Sequence, residues 1–387
     1  MNWADFTAQF PIMVKFIPMA DPRLDALYKV ARDNDLDAVA FVPGPNFKNI
    51  FTRDFHLMER PLLVIVPKDG TPVAIVPNLE MASFGALDFP GAIFDWRDED
   101  GYKSAFTAAA NILPQLANAK RFGLEAQRMR AFEQMALANV FPQAEFVDAH
   151  AEISNIRLIK TADEIALLKK AIQISEAALD ATLQEVTVGQ TEKQIEGILV
   201  RHMFALGADG LSFDPIVAAG DNAAQPHATA RADYTIKSGD ALLIDFGASW
   251  MGYNADITRT FFVGEVSDYD RAFYNTVLAA NTRGKNVSRA GVTAHDVDDA
   301  VQVVLERSQF AQFIRHKTGH GLGLDVHEAP QIMRGNKHVL QAGVVFTIEP
   351  GLYREGECGV RIEDDVVVTN DGIECLTTFD RELRIVG

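Results

Sequence analysis

The chain has 387 residues, of which 48% are hydrophobic and 23% are charged, a composition typical of a folded protein of two or three domains. Its formal net charge of −17 disfavours phosphate backbones and anionic lipid, so we expect no nucleic-acid and no membrane partner. No apolar run reaches the roughly 18 residues of a membrane span, the segment MNWADFTAQF lacks the features of a secretory signal, and Cys358 and Cys375 form no disulfide framework, so we expect a cytoplasmic protein.

The first third of the chain alternates between helix and strand patterns. Pro22 favours a helix start ahead of the run LDALYKVARDND. The strand-like segments LLVIVP and PVAIVP flank KDGT, in which Asp69-Gly70 predicts a hairpin turn. We therefore predict a small α/β domain over residues 1–150 and a linker over residues 151–160.

A second, larger domain is predicted over residues 161–387. Thr161 and Glu164 stand three positions apart before an apolar run of helical period, and Thr191 and Gln194 repeat this arrangement, so both pairs predict helix capping boxes. The later patterns are helical over 268–285 and VDDAVQVVLER, and strand-like in ALLIDFG, ADITRTFFV, VVFTIEP and VRIEDDVVV. Helix pairs among antiparallel strands predict an α+β fold.

Acidic residues inside these apolar strands are the first sign of chemistry. Asp245 lies between Ile244 and Phe246, where an unpaired carboxylate is costly to bury. A hairpin centred on Trp250 and Met251 would pair Asp245 with Asp256 on one face, with Cβ atoms about 5 Å apart. The alternative is an Asp that caps a turn and a second Asp on the surface.

Acidic residues also lie in or beside apolar strands later in the chain. Glu349 follows VVFTI, Glu363 lies in VRIEDDVVV, and Arg361 stands two residues before Glu363, on the same strand face. His320 is embedded in TGHGLG, where the glycines allow close approach of the backbone. Taken alone, His320 could be a hydrogen-bonded core histidine and Glu349 a strand-end cap.

Together these residues supply four carboxylates and one imidazole, a ligand set suited to Mn²⁺, Co²⁺, Fe²⁺ or Zn²⁺. Four negative charges are balanced by two divalent cations, which favours a dinuclear site. Such sites hold metal ions about 3.5–4 Å apart and activate a bridging water as a nucleophile. The predicted chemistry is metal-assisted hydrolysis.

The segments DFG…ADITRTF, HKTGHGLG, TIEPGLY and GVRIEDD resemble the ligand segments of the pita-bread metallopeptidases, which include methionine aminopeptidase, aminopeptidase P and prolidase. The resemblance covers the whole second domain in order and spacing. The smaller N-terminal domain is similar to that of the prolidase, aminopeptidase P and creatinase branch. The resemblance therefore implies a pita-bread catalytic domain behind a creatinase-like α/β domain, and relatives of this kind are usually homodimers.

The resemblance also implies roles for individual residues. The matching metal ligands are Asp245, Asp256, His320, Glu349 and Glu363. Glu349 would also act as the base on the bridging water. His227 in QPHATA and His327 in DVHEAP would stabilise the developing oxyanion or protonate the leaving group. His227 could instead be an ordinary loop residue, and His327 could form a surface pair with Glu328.

Three further residues complete the expected site. Arg361 resembles an arginine that orients carboxylate ligands, with Asp256 or Glu363 as its expected partner. His316 would line the site and bind substrate. Arg334 could clamp the carboxylate of a dipeptide or be a solvated loop residue, and Lys317 does not decide between substrate types.

The expected function is hydrolysis of Xaa-Pro bonds in dipeptides or short peptides by two divalent ions, with manganese favoured and cobalt, zinc or iron as alternatives. Dipeptidase and aminopeptidase activities both stay open. A second reading is a hydrolase or lyase of the same fold that acts on a small non-peptide substrate. A third is a peptidase-like binding protein without catalysis, which the complete ligand set disfavours.

Overall fold

The structure is a computed structural model that describes residues 22–387, and the segment MNWADFTAQF, on which we based the expectation of no secretory signal, lies outside them. The chain divides after Arg157 into two compact units. No helix within residues 22–387 is long and apolar enough to cross a bilayer.

The first unit is a six-stranded mixed sheet with helices on both faces. Its helices are α1 (Pro22–Asp33), α2 (Pro45–Phe51), α3 (Met81–Gly85), α4 (Lys103–Asn111), α5 (Ala131–Val140) and α6 (His150–Ser154). Its strands are β1 (Ala38–Phe41), β2 (Leu63–Pro67), β3 (Val73–Pro77), β4 (Ala92–Trp96), β5 (Arg121–Leu124) and β6 (Glu145–Asp148), in the sheet order β4-β3-β2-β1-β5-β6.

Alternation along these strands builds two cores, one on each face of the sheet. Ala38 and Ala40 of β1 pack in a cluster with residues of α4 and α5, whereas Val39 and Phe41 pack in a cluster with residues of α1 and α2. The predicted hairpin is confirmed, since β2 and β3 pair antiparallel across the loop that contains Gly70, whose φ is 111°.

The stretch that we interpreted as a linker is partly structured. Residues 150–157 form α6 and a following 3₁₀ turn, and Ile153 is fully buried in the first unit. An apolar contact of this kind gives the segment a defined place in that unit, which a solvated linker would lack.

The second unit contains two helix pairs packed on sheets that are mostly antiparallel. Its helices are α7 (Ala162–Leu183), α8 (Glu192–Ala205), α9 (Asp268–Val287) and α10 (Ala294–Glu306). Its strands are β7 (Gly210–Leu211), β8 (Ile216–Ala219), β9 (Ala241–Phe246), β10 (Ala248–Trp250), β11 (Tyr253–Asn254), β12 (Ile257–Val263), β13 (Gly319–Gly321), β14 (Glu328–Ile332), β15 (Val345–Ile348), β16 (Gly351–Arg354), β17 (Cys358–Arg361), β18 (Asp364–Val368), β19 (Ile373–Cys375) and β20 (Ile385–Val386). The sheet orders are β11-β10-β7, β20-β12-β9-β8, β14-β13-β15-β18-β19 and β16-β17.

Two of these helices, α7 and α8, begin where the local sequence predicts. Thr161 accepts a hydrogen bond from the Glu164 amide at the start of α7, and Thr191 does the same for Gln194 at the start of α8. In each pair the longer side chain accepts in return from the cap backbone, so two N–H groups that the helix cannot satisfy are both bonded. Both predicted capping boxes are confirmed.

Candidate functional site

Acidic and histidine side chains from five separated segments of the second unit converge on one point. Asp245 lies in β9, Asp256 directly before β12, His320 in β13, Glu349 directly after β15, and Glu363 between β17 and β18. Ligand atoms lie within 4.8 Å of one another in each of three overlapping groups: Asp245, Asp256 and Glu363; His320, Glu349 and Glu363; and Asp256, His320 and His327. The sheets thus bring all five predicted ligand residues together.

The hairpin that carries the two aspartates has a different register from the predicted one. Strands β9 and β12 pair so that Asp245 lies opposite Thr258, not opposite Asp256. The prediction was wrong because the turn is formed by Met251 and Gly252, with φ angles of 50° and 85°. Two positive φ values are the geometry of a two-residue hairpin turn of type I′, and a glycine meets that demand without steric cost.

His320 presents one ring nitrogen to the carboxylates. Its Nδ1 lies 3.1 Å from the Gly321 carbonyl and donates to it, which leaves Nε2 as an acceptor 3.4 Å from Glu349 Oε1 and 3.7 Å from Asp256 Oδ2. Burial lowers the pKa of His320 to about 3, so the ring is neutral near pH 7. A neutral imidazole with a fixed tautomer is the form that binds metal ions.

The glycines beside His320 allow neighbouring strands to approach closely. A Cβ atom on Gly319 would lie 2.0 Å from the Thr347 carbonyl oxygen, and one on Gly321 would lie 2.0 Å from the Ala329 carbonyl oxygen. Any side chain at either position would push the strands apart and move His320 from the carboxylates. The close approach expected from TGHGLG is confirmed.

The clustered carboxylates repel one another. Burial raises the pKa of Asp256 and Glu363 well above the usual range, and nearby carboxylates raise both further. Burial raises the pKa of Glu349 to about 8. Within residues 22–387, the buried Asp245 Oδ1 has no hydrogen-bond partner. Three buried carboxylates, one of them with an unsatisfied oxygen, together with the partly exposed Glu349 and a neutral imidazole form a donor set that fits divalent metal ions.

Arg361 contacts a different carboxylate from those we expected. Its Nη2 donates to Asp245 Oδ2 at 2.6 Å, and its Nε donates to Thr258 Oγ1 at 3.0 Å. Thr258 in turn donates to Glu363 Oε2 at 2.6 Å. Arg361 therefore pairs directly with Asp245 and reaches Glu363 only through Thr258, so the predicted direct pair with Asp256 or Glu363 was wrong.

Tyr353 joins this network on the other side of Arg361. Arg361 Nη1 donates to the Tyr353 hydroxyl at 2.7 Å, and that hydroxyl lies 2.7 Å from His316 Nε2. Since His316 Nδ1 lies 2.7 Å from the Lys317 carbonyl and donates to it, Nε2 accepts the Tyr353 proton. Sequence reasoning gave no role to Tyr353, although it ends the motif TIEPGLY.

A cavity of about 530 Å³ opens over the cluster. Besides the five carboxylate and histidine side chains of the cluster, its walls are formed by Phe213, Ile216, Pro226, His227, His316, Lys317, Val326, His327, Gln331 and Arg361. His227 and His327 are both exposed on this wall. The structure therefore puts both predicted catalytic histidines, and His316, beside the cluster.

His327 belongs to the cluster and not to a surface pair with Glu328. Its ring stands perpendicular to that of His320, with centroids 4.2 Å apart. Glu328 is buried and forms an ion pair with Lys160. His327 and Glu328 therefore have different partners.

Arg334 does not reach the cavity. Its Nε lies 2.9 Å from Asp299 Oδ1 and its Nη2 lies 3.1 Å from Glu306 Oε2, both on α10. The expectation that Arg334 lines a substrate site is therefore wrong. Lys317 lines the cavity instead, and its ammonium group makes no ion pair or hydrogen bond with any residue in the part of the chain that the structure describes.

Comparison with known proteins agrees with this arrangement. Residues 166–370 match metallopeptidase family M24, and residues 23–159 match the creatinase/prolidase N-terminal domain. An uncharacterized peptidase of Staphylococcus aureus is 32% identical over 323 residues, which cover 84% of this chain and 89% of that protein.

Solved structures of similar proteins cover nearly the whole chain. An Xaa-Pro dipeptidase from Bacillus anthracis is 31% identical, with a TM-score of 0.85 over 94% of this chain and 99% of that one. A prolidase from Thermococcus sibiricus is 31% identical, with a TM-score of 0.89 over 95% and 100%. An X-Pro aminopeptidase from Thermotoga maritima is also 31% identical, with a TM-score of 0.79 over 94% and 99%.

Proposed function

The chain belongs to metallopeptidase family M24, and we propose that it hydrolyses Xaa-Pro bonds of dipeptides or short peptides with two divalent metal ions. The observation that carries this proposal is the cluster of four carboxylates and one neutral imidazole that lines the cavity. The residues that would hold the ions are Asp245, Asp256, His320, Glu349 and Glu363. When bound, the ions would lower the pKa of a water molecule and polarise the substrate carbonyl.

Side chains of the protein would accept the proton, bind the substrate and orient the metal ligands. Glu349 would accept the proton of the attacking water on a carboxylate oxygen, because it lies at the cavity wall and is the most exposed of the four carboxylates, at 16% for its side chain. His227 and His327 would donate hydrogen bonds to the carbonyl oxygen or the leaving nitrogen, since both line the cavity beside the cluster. Arg361 would hold Asp245 in its orientation.

The cavity wall supports a small substrate with an apolar side and a charged end. Phe213, Ile216 and Val326 offer apolar surface to a proline ring. Lys317 offers an ammonium group to a carboxylate of the substrate, a role for which the sequence had offered Arg334 as a candidate. Three similar solved proteins are described as an Xaa-Pro dipeptidase, a prolidase and an X-Pro aminopeptidase, which supports this substrate class.

Product analysis tests the proposal. Protein loaded with Mn²⁺ is incubated with Ala-Pro and with Ala-Pro-Ala, and the products are identified by mass spectrometry, with Asp256→Asn as the inactive control. Cleavage of Ala-Pro alone establishes a dipeptidase, whereas release of alanine from Ala-Pro-Ala establishes an aminopeptidase. If the metal-loaded protein leaves both peptides intact, the substrate is not an Xaa-Pro peptide and the proposal fails.

Manganese as the metal and a homodimer as the assembly are parts of the same proposal. Metal analysis of protein purified without added metal tests the first, and light scattering after gel filtration tests the second. Zinc or iron in place of manganese, or a monomeric mass, would change these two parts and leave the peptidase proposal standing.

A further inference from the structure

The side chain of Asn281 lies in the interior of the second unit, on the face of α9 that packs against the sheets, and is fully buried. Its Nδ2 donates to the carbonyl oxygen of Ile348 at 2.8 Å and to that of Ile362 at 3.2 Å. Its Oδ1 accepts from Arg381 Nη1 at 2.6 Å. Because arginine can only donate, this contact fixes which end of the amide faces the two carbonyls.

The two carbonyls belong to the peptide units that lead into Glu349 and Glu363. On the other side of the same peptide units, the Glu349 amide donates to the Thr318 carbonyl at 2.7 Å, and the Glu363 amide donates to the Thr258 carbonyl at 3.1 Å. Thr318 stands two residues before His320, and Thr258 stands two residues after Asp256. Each peptide unit is thus bonded on one side to a segment that carries another member of the cluster and on the other side to Asn281.

Asn281 lies at a break between two antiparallel ladders that the same two segments form. On one side of the break β15 pairs with β18, with Ile348 opposite Asp364, and on the other side β16 pairs with β17, with Gly351 opposite Arg361. Glu349 and Glu363 lie between the two ladders, where Asn281 bonds the peptide units that lead into both.

A glycine in α9 allows the helix to lie close to β15. A Cβ atom on Gly284, one turn after Asn281, would lie 2.9 Å from Ile348 Cγ2 and 2.7 Å from Val301 Cγ2. Glycine in the interior of a helix is unfavourable relative to alanine. Its presence where α9 contacts β15 fits a need for the helix to come close enough for the amide to bond the carbonyls.

We propose that Asn281 is a positioning residue that sets the separation of Glu349 and Glu363, and thereby allows the site to bind two divalent cations as a pair. This inference rests on the proposed metal site. It concerns the geometry of the carboxylates and not any contact with substrate. Dinuclear sites tolerate little change in ligand spacing, since productive constellations must be held to within about 0.5 Å.

The test is Mn²⁺ binding to Asn281→Leu, a change that keeps the side-chain size and removes both donors. Isothermal titration calorimetry gives the number of Mn²⁺ ions bound and their affinities, and electron paramagnetic resonance reports magnetic coupling between paired Mn²⁺ ions. The matched control is Ser288→Ala, which removes a buried hydrogen bond to the Gly284 carbonyl on the same helix but contacts neither peptide unit. Gly284→Ala is a second probe, which keeps the amide and pushes the helix away.

We expect Asn281→Leu to bind at least one Mn²⁺ tenfold or more weakly and to lose the coupling, with Ser288→Ala like the wild type. Gly284→Ala should weaken binding in the same way, and it carries the test if Asn281→Leu does not fold. Two Mn²⁺ ions bound with wild-type affinity and coupling in both Asn281→Leu and Gly284→Ala, even with a lower melting temperature, would show that the amide is only structural. A wild-type protein that binds fewer than two Mn²⁺ ions would instead overturn the proposed metal site itself.

Discussion

Arg361 Nη2 lies 2.6 Å from Asp245 Oδ2, and both side chains are buried. The arginine occupies one carboxylate oxygen and leaves Oδ1 without a hydrogen-bond partner among the described residues. Asp245 is therefore oriented by one charged partner, with its other oxygen available to a cation. The ion pair with Arg361 orients Asp245 as a metal ligand. It does not neutralise the cluster, and it leaves one oxygen of Asp245 without a hydrogen bond.

Replacement of Arg361 by lysine should weaken metal binding while the fold persists. A lysine ammonium cannot reproduce the planar set of donors that reaches Asp245, Thr258 and Tyr353 together. Loss of a partner that orients a ligand typically costs about 10–100-fold in metal affinity. Titration calorimetry with Mn²⁺ measures the change, and Arg334→Lys, at a site outside the cavity, should bind like the wild type.

Asp256→Asn should abolish activity and yet stabilise the metal-free protein. Burial and the neighbouring carboxylates raise the pKa of Asp256, so its charge opposes folding when no cation is bound. Removal of that charge should raise the free energy of unfolding by about 1–3 kcal/mol at pH 8 in EDTA. Thermal melting monitored by circular dichroism, with exposed Glu306→Gln as the control, checks the stability. Full peptide turnover by Asp256→Asn would contradict its role as a ligand.

The contribution of Glu349 to the stability of the metal-free protein should fall as the pH rises from about 5 to 8. The folded pKa of Glu349 is about 8, whereas that of an unfolded glutamate is about 4.3. Within this window the unfolded chain releases the proton and the folded chain keeps it, so ionisation favours unfolding. The difference between the melting temperatures of the wild type and of Glu349→Gln in EDTA, measured across this range, isolates the fall. Saturating Mn²⁺, which binds the ionised form, should reverse it.

Lys317→Met should impair use of a substrate with a free carboxylate near the cavity wall. Lys317 lines the cavity and has no ion-pair partner in the described part of the chain, whereas Arg334 is paired with Asp299 and Glu306. We expect KM for Ala-Pro to rise about tenfold, the equivalent of about 1.4 kcal/mol, with a smaller change in kcat. Arg334→Met should leave both constants unchanged, and the reverse pattern would return the carboxylate-binding role to Arg334.

Much of the fold could be predicted because its signals are local. A capping box such as Thr161–Glu164 satisfies backbone donors within four residues, so its effect does not depend on the rest of the chain. The same holds for the glycines around His320, whose lack of a side chain predicts close approach whatever the neighbour. The segments that carry Asp245, Asp256, His320, Glu349 and Glu363 were also recognisable, because carboxylates inside apolar strands are costly without a partner.

The contacts between those segments were decided by tertiary structure. Arg361 could reach several acids by its position in sequence, and the packing of β17 against β9 and β12 selected Asp245. Arg334 pairs with two acids of α10 that lie 28 and 35 residues away in sequence, and Asn281 of α9 bonds the carbonyls of the peptide units that lead into Glu349 and Glu363. These hydrogen-bond and ion-pair partners depend on the distances between elements that are remote in sequence. The sequence by itself therefore determined which side chains carry the chemistry, and only the folded chain determined which of them hold one another in place.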